Sequence, residues 1–197
     1  RLPLDEVQYE NLTDIIFAFL EADAAGNITG THGGEFGVLK PLVKMAHAHD
    51  VRVQASILSD FSALLDNADG SRDAFITSLV NLMVEHDLDG VDFDWEGGAF
   101  SEADRQNYAA LLTEFSAHPG AEGKHISLDT VTWRNELNSD ALPNVQWMNG
   151  MGYDSGPPDH TSVDDGITVA THWTSMGLMA PRMMMGTGFY GLMADWL

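Results

Sequence analysis

Cysteine is missing from all 197 residues, which removes disulfides, thiolate metal sites and thiol nucleophiles at once. Basic residues are nearly as scarce. Lys and Arg together number 9, with Lys40, Lys44 and Lys124 the only lysines, against 30 acidic residues and a formal charge of −21. A field of that sign repels nucleic acid and anionic membranes, so neither is expected as a partner. It favours solubility and costs some stability through self-repulsion that salt would screen, which fits a saline setting and a neutral substrate. No apolar run is long enough to cross a bilayer, and nothing at the N-terminus has the form of a signal peptide. The chain starts at Arg1 rather than Met, so a preceding segment is expected to have been removed. Repeats and low-complexity linkers are also lacking, and the length suits one domain over residues 1–197.

What the chain does contain is alternating strand and helix signals. Apolar runs of strand length occur at Asp14–Leu20 and Val51–Leu58, and further strands are expected at Ile126–Val131, Val145–Tyr153 and Arg182–Phe189. Helical spacing marks Phe36–His49 through Leu39, Leu42, Val43 and Ala46, with Pro41 expected to fit only near the start. Ser71 opens a second helix with a stripe of Ile76, Leu79, Val80 and Met83. Ser101 with Asp104 is a capping signal for a third, with Tyr108, Leu111, Leu112 and Phe115 on one face, and a fourth is expected near Asp164–Met176. Strands separated by helices imply right-handed βαβ units and a parallel sheet, whose functional groups gather at the C-terminal strand ends.

Residues 89–96, Asp-Gly-Val-Asp-Phe-Asp-Trp-Glu, are the most informative segment. As a strand they place Asp92, Asp94 and Glu96 in one row and Val91, Phe93 and Trp95 in the other, with neighbouring carboxyls roughly 6.6 Å apart along the strand. A solvated strand face is the plain alternative, but aspartate is a poor strand former. A hard-metal site is the other, since carboxylates bind Mg²⁺ or Ca²⁺, yet no Asn/Asp loop or histidine cluster accompanies the row. Crowded carboxyls among apolar neighbours hold protons more tightly, and Glu96, at the strand's end, is placed to be a general acid. Asp94 is placed to hydrogen-bond beside it, and Asp92 lies deeper, where it could share a proton with Asp94. Tyr153, at the end of another strand, offers a phenolic donor to an oxygen gaining charge. The set suits acetal cleavage better than acyl transfer, for which the G-x-S-x-G elbow is absent.

The octapeptide closely resembles the D-G-x-D-x-D-x-E signature of glycoside hydrolase family 18, the chitinases and related endo-β-N-acetylglucosaminidases. Other segments agree in order. Leu12–Leu20 looks like the family's second strand and Val51–Ile57 like its third, Met151-Gly152-Tyr153-Asp154 matches M-x-Y-D of the sixth, and Arg182–Gly191 is similar to the seventh. The resemblance implies an incomplete (β/α)8 TIM barrel with about six of eight strands, the first and eighth missing. It implies retaining, substrate-assisted hydrolysis of β-1,4 bonds next to N-acetylglucosamine, in chitin or its oligosaccharides, with no metal or organic cofactor. Glu96 would then protonate the leaving oxygen, Asp94 hold the acetamido N–H, Asp92 tune Asp94, and Tyr153 bond the acetamido carbonyl. Met151, Asp154, Trp133 and Phe19 are the expected sugar contacts, and a secreted location is expected from the family. Cleavage within N-glycan cores and sugar binding without turnover are the alternatives.

Departures accompany the match. Where the third strand usually ends S-x-G-G-W, this chain has Ser56-Ile57-Leu58-Ser59-Asp60, with Phe61 as a partial substitute for the lost aromatic. An unclosed barrel exposes strand edges, through which the chain is expected to self-associate. His47 and His49 face apart at helical spacing, Met183–Met185 reads as core filling, and Trp95 should pack under a helix.

Overall fold

The computed structural model describes residues 3–30, 35–96, 100–131, 137–154 and 162–190. Among these residues seven strands form one sheet: β1 (Asp14–Ala22), β2 (Ile28–Gly30), β3 (Arg52–Ser59), β4 (Gly90–Trp95), β5 (His125–Thr130), β6 (Trp147–Met151) and β7 (Met183–Gly186). Their spatial order is β2-β1-β3-β4-β5-β6-β7. Every pairing from β1 through β7 is parallel except the short antiparallel addition of β2 to the end of β1. The six parallel strands expected from the sequence are all present. The seventh was not expected, because three residues are too few to show a period; Asp23 sets it up by accepting from the backbone N–H groups of Ala25 and Asn27, both at 2.9 Å.

Among the described residues five α-helices accompany the sheet: α1 (Glu35–His47), α2 (Ser62–Leu65), α3 (Ser71–His86), α4 (Glu102–Ala117) and α5 (Val163–Ser175). Their predicted stripes are buried as a group, from Leu39, Leu42, Val43 and Ala46 on α1 to Tyr108, Leu111, Leu112 and Phe115 on α4. The capping box of α4 is complete, with Ser101 Oγ accepting from Asp104 N at 3.1 Å and Asp104 Oδ2 from Ser101 N at 2.7 Å. Pro41 corrects one expectation, since it lies well inside α1 rather than at its start. Proline removes one helical bond, but Pro41 points to solvent while Leu39, Leu42 and Val43 anchor the same turn in the core. Packing of an amphipathic face outweighs local propensity there.

The core lies between sheet and helices. Val53, Ala55, Ile57, Val91, Phe93, Ile126, Leu128 and Met148 belong to it, alternating with a polar row on the other face of the same strands. Trp95 is buried as expected, its ring 4.9 Å from that of Tyr108 on α4. Gly90 starts β4 where it must, because a Cβ there would meet the His125 carbonyl oxygen on β5.

Two further expectations are corrected. Phe61 is fully buried, with ring centroids 5.7 Å from Phe75 and 5.9 Å from Phe93, so it is core and no substitute for a cleft aromatic. Met183 packs half-buried against the core as expected, but Met184 and Met185 are exposed rather than core filling, because the outer edge of β7 carries no strand among the described residues. The sheet is thus an open, barrel-type arrangement.

Candidate active site

β4 is buried at all six positions, as a central parallel strand should be. Asp92 is fully buried and Asp94 nearly so, while Glu96 follows the strand's last residue and is exposed. The Glu96 N–H bonds Ser59 O at 3.2 Å, which ties the acid to the C-terminal end of β3. The row therefore runs from the sheet interior to its C-terminal rim.

Asp92 is held by a network that the sequence reading did not identify. Ser56 on β3 and Ser127 on β5 stand beside Asp92 in the sheet register. The Ser56 hydroxyl donates to Asp92 Oδ2 at 2.8 Å, and the Ser127 hydroxyl donates to Oδ1. Asn149 on β6 reaches Oδ1 through Nδ2 at 3.0 Å. Gln54 Nε2 supports the layer, bonding Val91 O at 2.9 Å and Ser127 Oγ at 3.2 Å. Asp129, aligned with Asn149 across β5 and β6, completes it by hydrogen-bonding to both Asp92 and Asn149. Burial raises the proton affinity of Asp92, and the hydrogen bonds from Ser127, Ser56, Asp129 and Asn149 oppose it by favouring the carboxylate. Burial, then the charges of Asp92 and Asp94, push Asp129 up to about 9. A signal for these residues did exist. Ser127 and Asp129 alternate with Ile126 and Leu128 as the acid row alternates with Val91 and Phe93. Only the sheet order makes them neighbours of Asp92.

Tyr153 lies just past β6 and is half-buried. Burial and the carboxylates of Asp129 and Asp94 push its phenol up to about 12, so it is a neutral donor at any ordinary pH. Its ring occupies space that only glycine leaves: a Cβ on Gly186 of β7 would lie 2.8 Å from Tyr153 Cε1. The Tyr190 ring sits 6.3 Å away, edge-on, and its hydroxyl donates to Asp154, an exposed residue with φ of 59°. Met151 ends β6 half-buried, and Phe19 is half-buried in β1. Trp133 lies outside the described residues, as do Gly97 and Gly98.

The segment that departs from the expected glycine pair makes contacts of its own. Ser59 Oγ accepts from Ala22 N at 2.8 Å, joining the ends of β3 and β1. Asp60 Oδ1 accepts from Trp95 Nε1 at 3.2 Å and from Ser62 Oγ at 2.6 Å. The Ser62 bonds hold the Asp60 carboxyl below its usual range. Away from the rim, His47 Nε2 bonds Asp89 Oδ2 at 2.9 Å, whereas His49 stacks on Tyr9 at 5.3 Å, so these histidines serve separate contacts. Among the described residues, no three His, Asp or Glu side chains are grouped as a metal ion would need.

Known proteins share this fold. The sequence profile of glycosyl hydrolases family 18 matches residues 3–195. A chitinase-like effector from Moniliophthora perniciosa is 23% identical over 227 residues, spanning 95% of this chain and 51% of its own length. The chain thus spans about half of that relative. A crystal structure of a chitinase from Bacteroides thetaiotaomicron superposes with a TM-score of 0.80 at 19% identity, over 91% of this chain and 60% of that one. A mutant class V chitinase from Nicotiana tobaccum, in complex with NAG4, gives 0.80 at 20% identity, over 94% of this chain and 62% of that one. The structural likeness carries the fold, that of the barrel chitinases left open, and the profile spans nearly the whole sequence. The chain belongs to glycosyl hydrolases family 18.

Proposed function

We propose that residues 1–197 form one partial catalytic domain of a secreted glycosidase that cleaves β-1,4 bonds next to N-acetylglucosamine, in chitin or chitooligosaccharides. The observation that carries this reading is the acid row on β4, buried at Asp92 and Asp94 and opening to solvent at Glu96 on the strand's C-terminal end. In the reaction, Glu96 protonates the leaving oxygen and later activates water. The substrate's own acetamido oxygen is the nucleophile, as in the substrate-assisted exception to the two-carboxylate scheme. Asp94 holds the acetamido N–H, and the neutral Tyr153 phenol donates to the acetamido carbonyl as charge develops. Met151, Asp154, Phe19 and Trp133 contact sugar. The chemistry needs neither metal nor organic cofactor. Endo-cleavage within N-glycan cores would use the same reacting sugar, and a high-mannose glycopeptide assayed beside chitin oligomers separates the two.

A second reading, sugar binding with little turnover, is favoured by one observation. A relative that spans 95% of this chain is called a chitinase-like effector rather than a chitinase. The unpartnered outer edge of β7 agrees with it, since the sheet beside Tyr153 lacks a further wall among the described residues. Residues 1–197 alone are therefore expected to turn over weakly, and to self-associate through that edge. Release of fluorophore from a chitotriose conjugate tests the main reading. Turnover lost in Glu96→Gln with oligosaccharide binding retained supports it; full activity in that variant sinks the role of Glu96.

A further inference from the structure

The inner face of the sheet carries a fourth carboxyl whose place the three-acid row does not explain. Asp129 lies two residues beyond Ser127 on β5 and opposite Asn149 on β6. It hydrogen-bonds Asp92, and two carboxyl groups can do so only if one of them carries a proton. Asp92 already accepts from Ser56 at one oxygen and from Ser127 and Asn149 at the other. A group with that many donors is the ionised partner, and Asp129 is the donor. Among the described residues, the titratable groups that face Asp129 are Asp92 and Asp94 from β4 and the Tyr153 phenol from the end of β6. None is a cation, so protonation is how this cluster limits its charge.

We propose that Asp129 is a positioning residue of the acid row: its protonated carboxyl donates to Asp92, so that Asp92 does not draw on Asp94, and Asp94 stays available to the substrate beside Glu96. The role rests on the substrate-assisted reading above. It differs from a simple packing role because a packed side chain need not carry a proton. Burial and the neighbouring charges, which push Asp129 up to about 9, agree with the geometry.

The test compares wild type, Asp129→Ala and Asp129→Asn in the full chain. Asparagine keeps a donor to Asp92 and cannot ionise; alanine removes both. Asp129→Ala should lower kcat about tenfold with KM little changed, a fraction of the hundredfold or more that general acid catalysis supplies. Asp129→Asn should restore most of that rate and lack the alkaline fall in activity that loss of the Asp129 proton causes in the wild type. Equal kcat and equal pH profiles for wild type and Asp129→Ala would overturn the proposal, as would Asp129→Asn being as impaired as Asp129→Ala. A second measurement covers a variant that does not fold, or a wild type that does not turn over. In protein labelled with ¹³C at aspartate Cγ, the signal missing from Asp129→Asn should report a protonated carboxyl at neutral pH. An ionised carboxyl there refutes the proposal whatever the kinetics. Wild-type turnover that survives Glu96→Gln refutes the catalytic reading and leaves the Asp129 signal unchanged.

Discussion

Replacing Asp129 by asparagine should stabilise this protein at neutral pH, even though the half-buried residue belongs to the hydrogen-bonded network around Asp92. An aspartate ordinarily titrates near 3.8, whereas burial pushes Asp129 up to about 9. At pH 7 the folded chain therefore keeps a proton that the unfolded chain has released. Holding it across roughly 3 pH units, at about 1.4 kcal/mol each, costs on the order of 4 kcal/mol. Asparagine carries no such cost and retains a donor for Asp92 and an acceptor for Asn149. The sign follows from the direction of the shift. The folded state has the higher proton affinity, so its stability is greatest below the unfolded value and falls as pH rises toward about 9. Urea unfolding followed by tryptophan fluorescence, repeated between about pH 4 and about pH 9, reads this directly. The advantage of Asp129→Asn should be near zero at the acid end and widen steadily with pH. Parallel stability curves for the two proteins would refute the reasoning, because they would mean that Asp129 ionises on folding as it does in water. A functional site that costs stability is common, since most proteins need only exceed a threshold.

Other outcomes follow from the packing. Phe61→Ala should cost about 3–5 kcal/mol, the range for a fully buried phenylalanine, measured as a lower urea midpoint; a change below about 1 kcal/mol would mean that the ring is not core. Ser101→Ala should remove about 1 kcal/mol by breaking the capping box of α4, read from the same transition. Ile167 on α5, 58% exposed, lines one groove with the exposed Met185 on β7. Ile167→Asp should abolish concentration-dependent association in sedimentation equilibrium without changing the unfolding midpoint; unchanged association would place any contact elsewhere.

Membership in the family, the acid row and most helix stripes were legible in the chain because each depends on short-range spacing. Alternation at period two put Asp92, Asp94 and Glu96 on one face, and period three to four put Tyr108, Leu111, Leu112 and Phe115 on another. Local chemistry was equally readable at Ser101 and Asp104, where the cap involves residues three apart. Mistakes arose where long-range packing overrides a local rule. Pro41 is carried inside α1 by its buried neighbours, and Phe61, adjacent to the rim segment, turns into the aromatic cluster around Phe93.

The environment of Asp92 was decided by tertiary structure alone. Ser56, Ser127, Asp129 and Asn149 lie 35 or more residues away in sequence and meet only through the β3-β4-β5-β6 order and register. A single carboxyl pattern therefore determined what kind of chemistry the chain is suited to. Which carboxyl is buried and which carries the proton depended on desolvation and on donors contributed by other strands, and spacing along one strand holds neither.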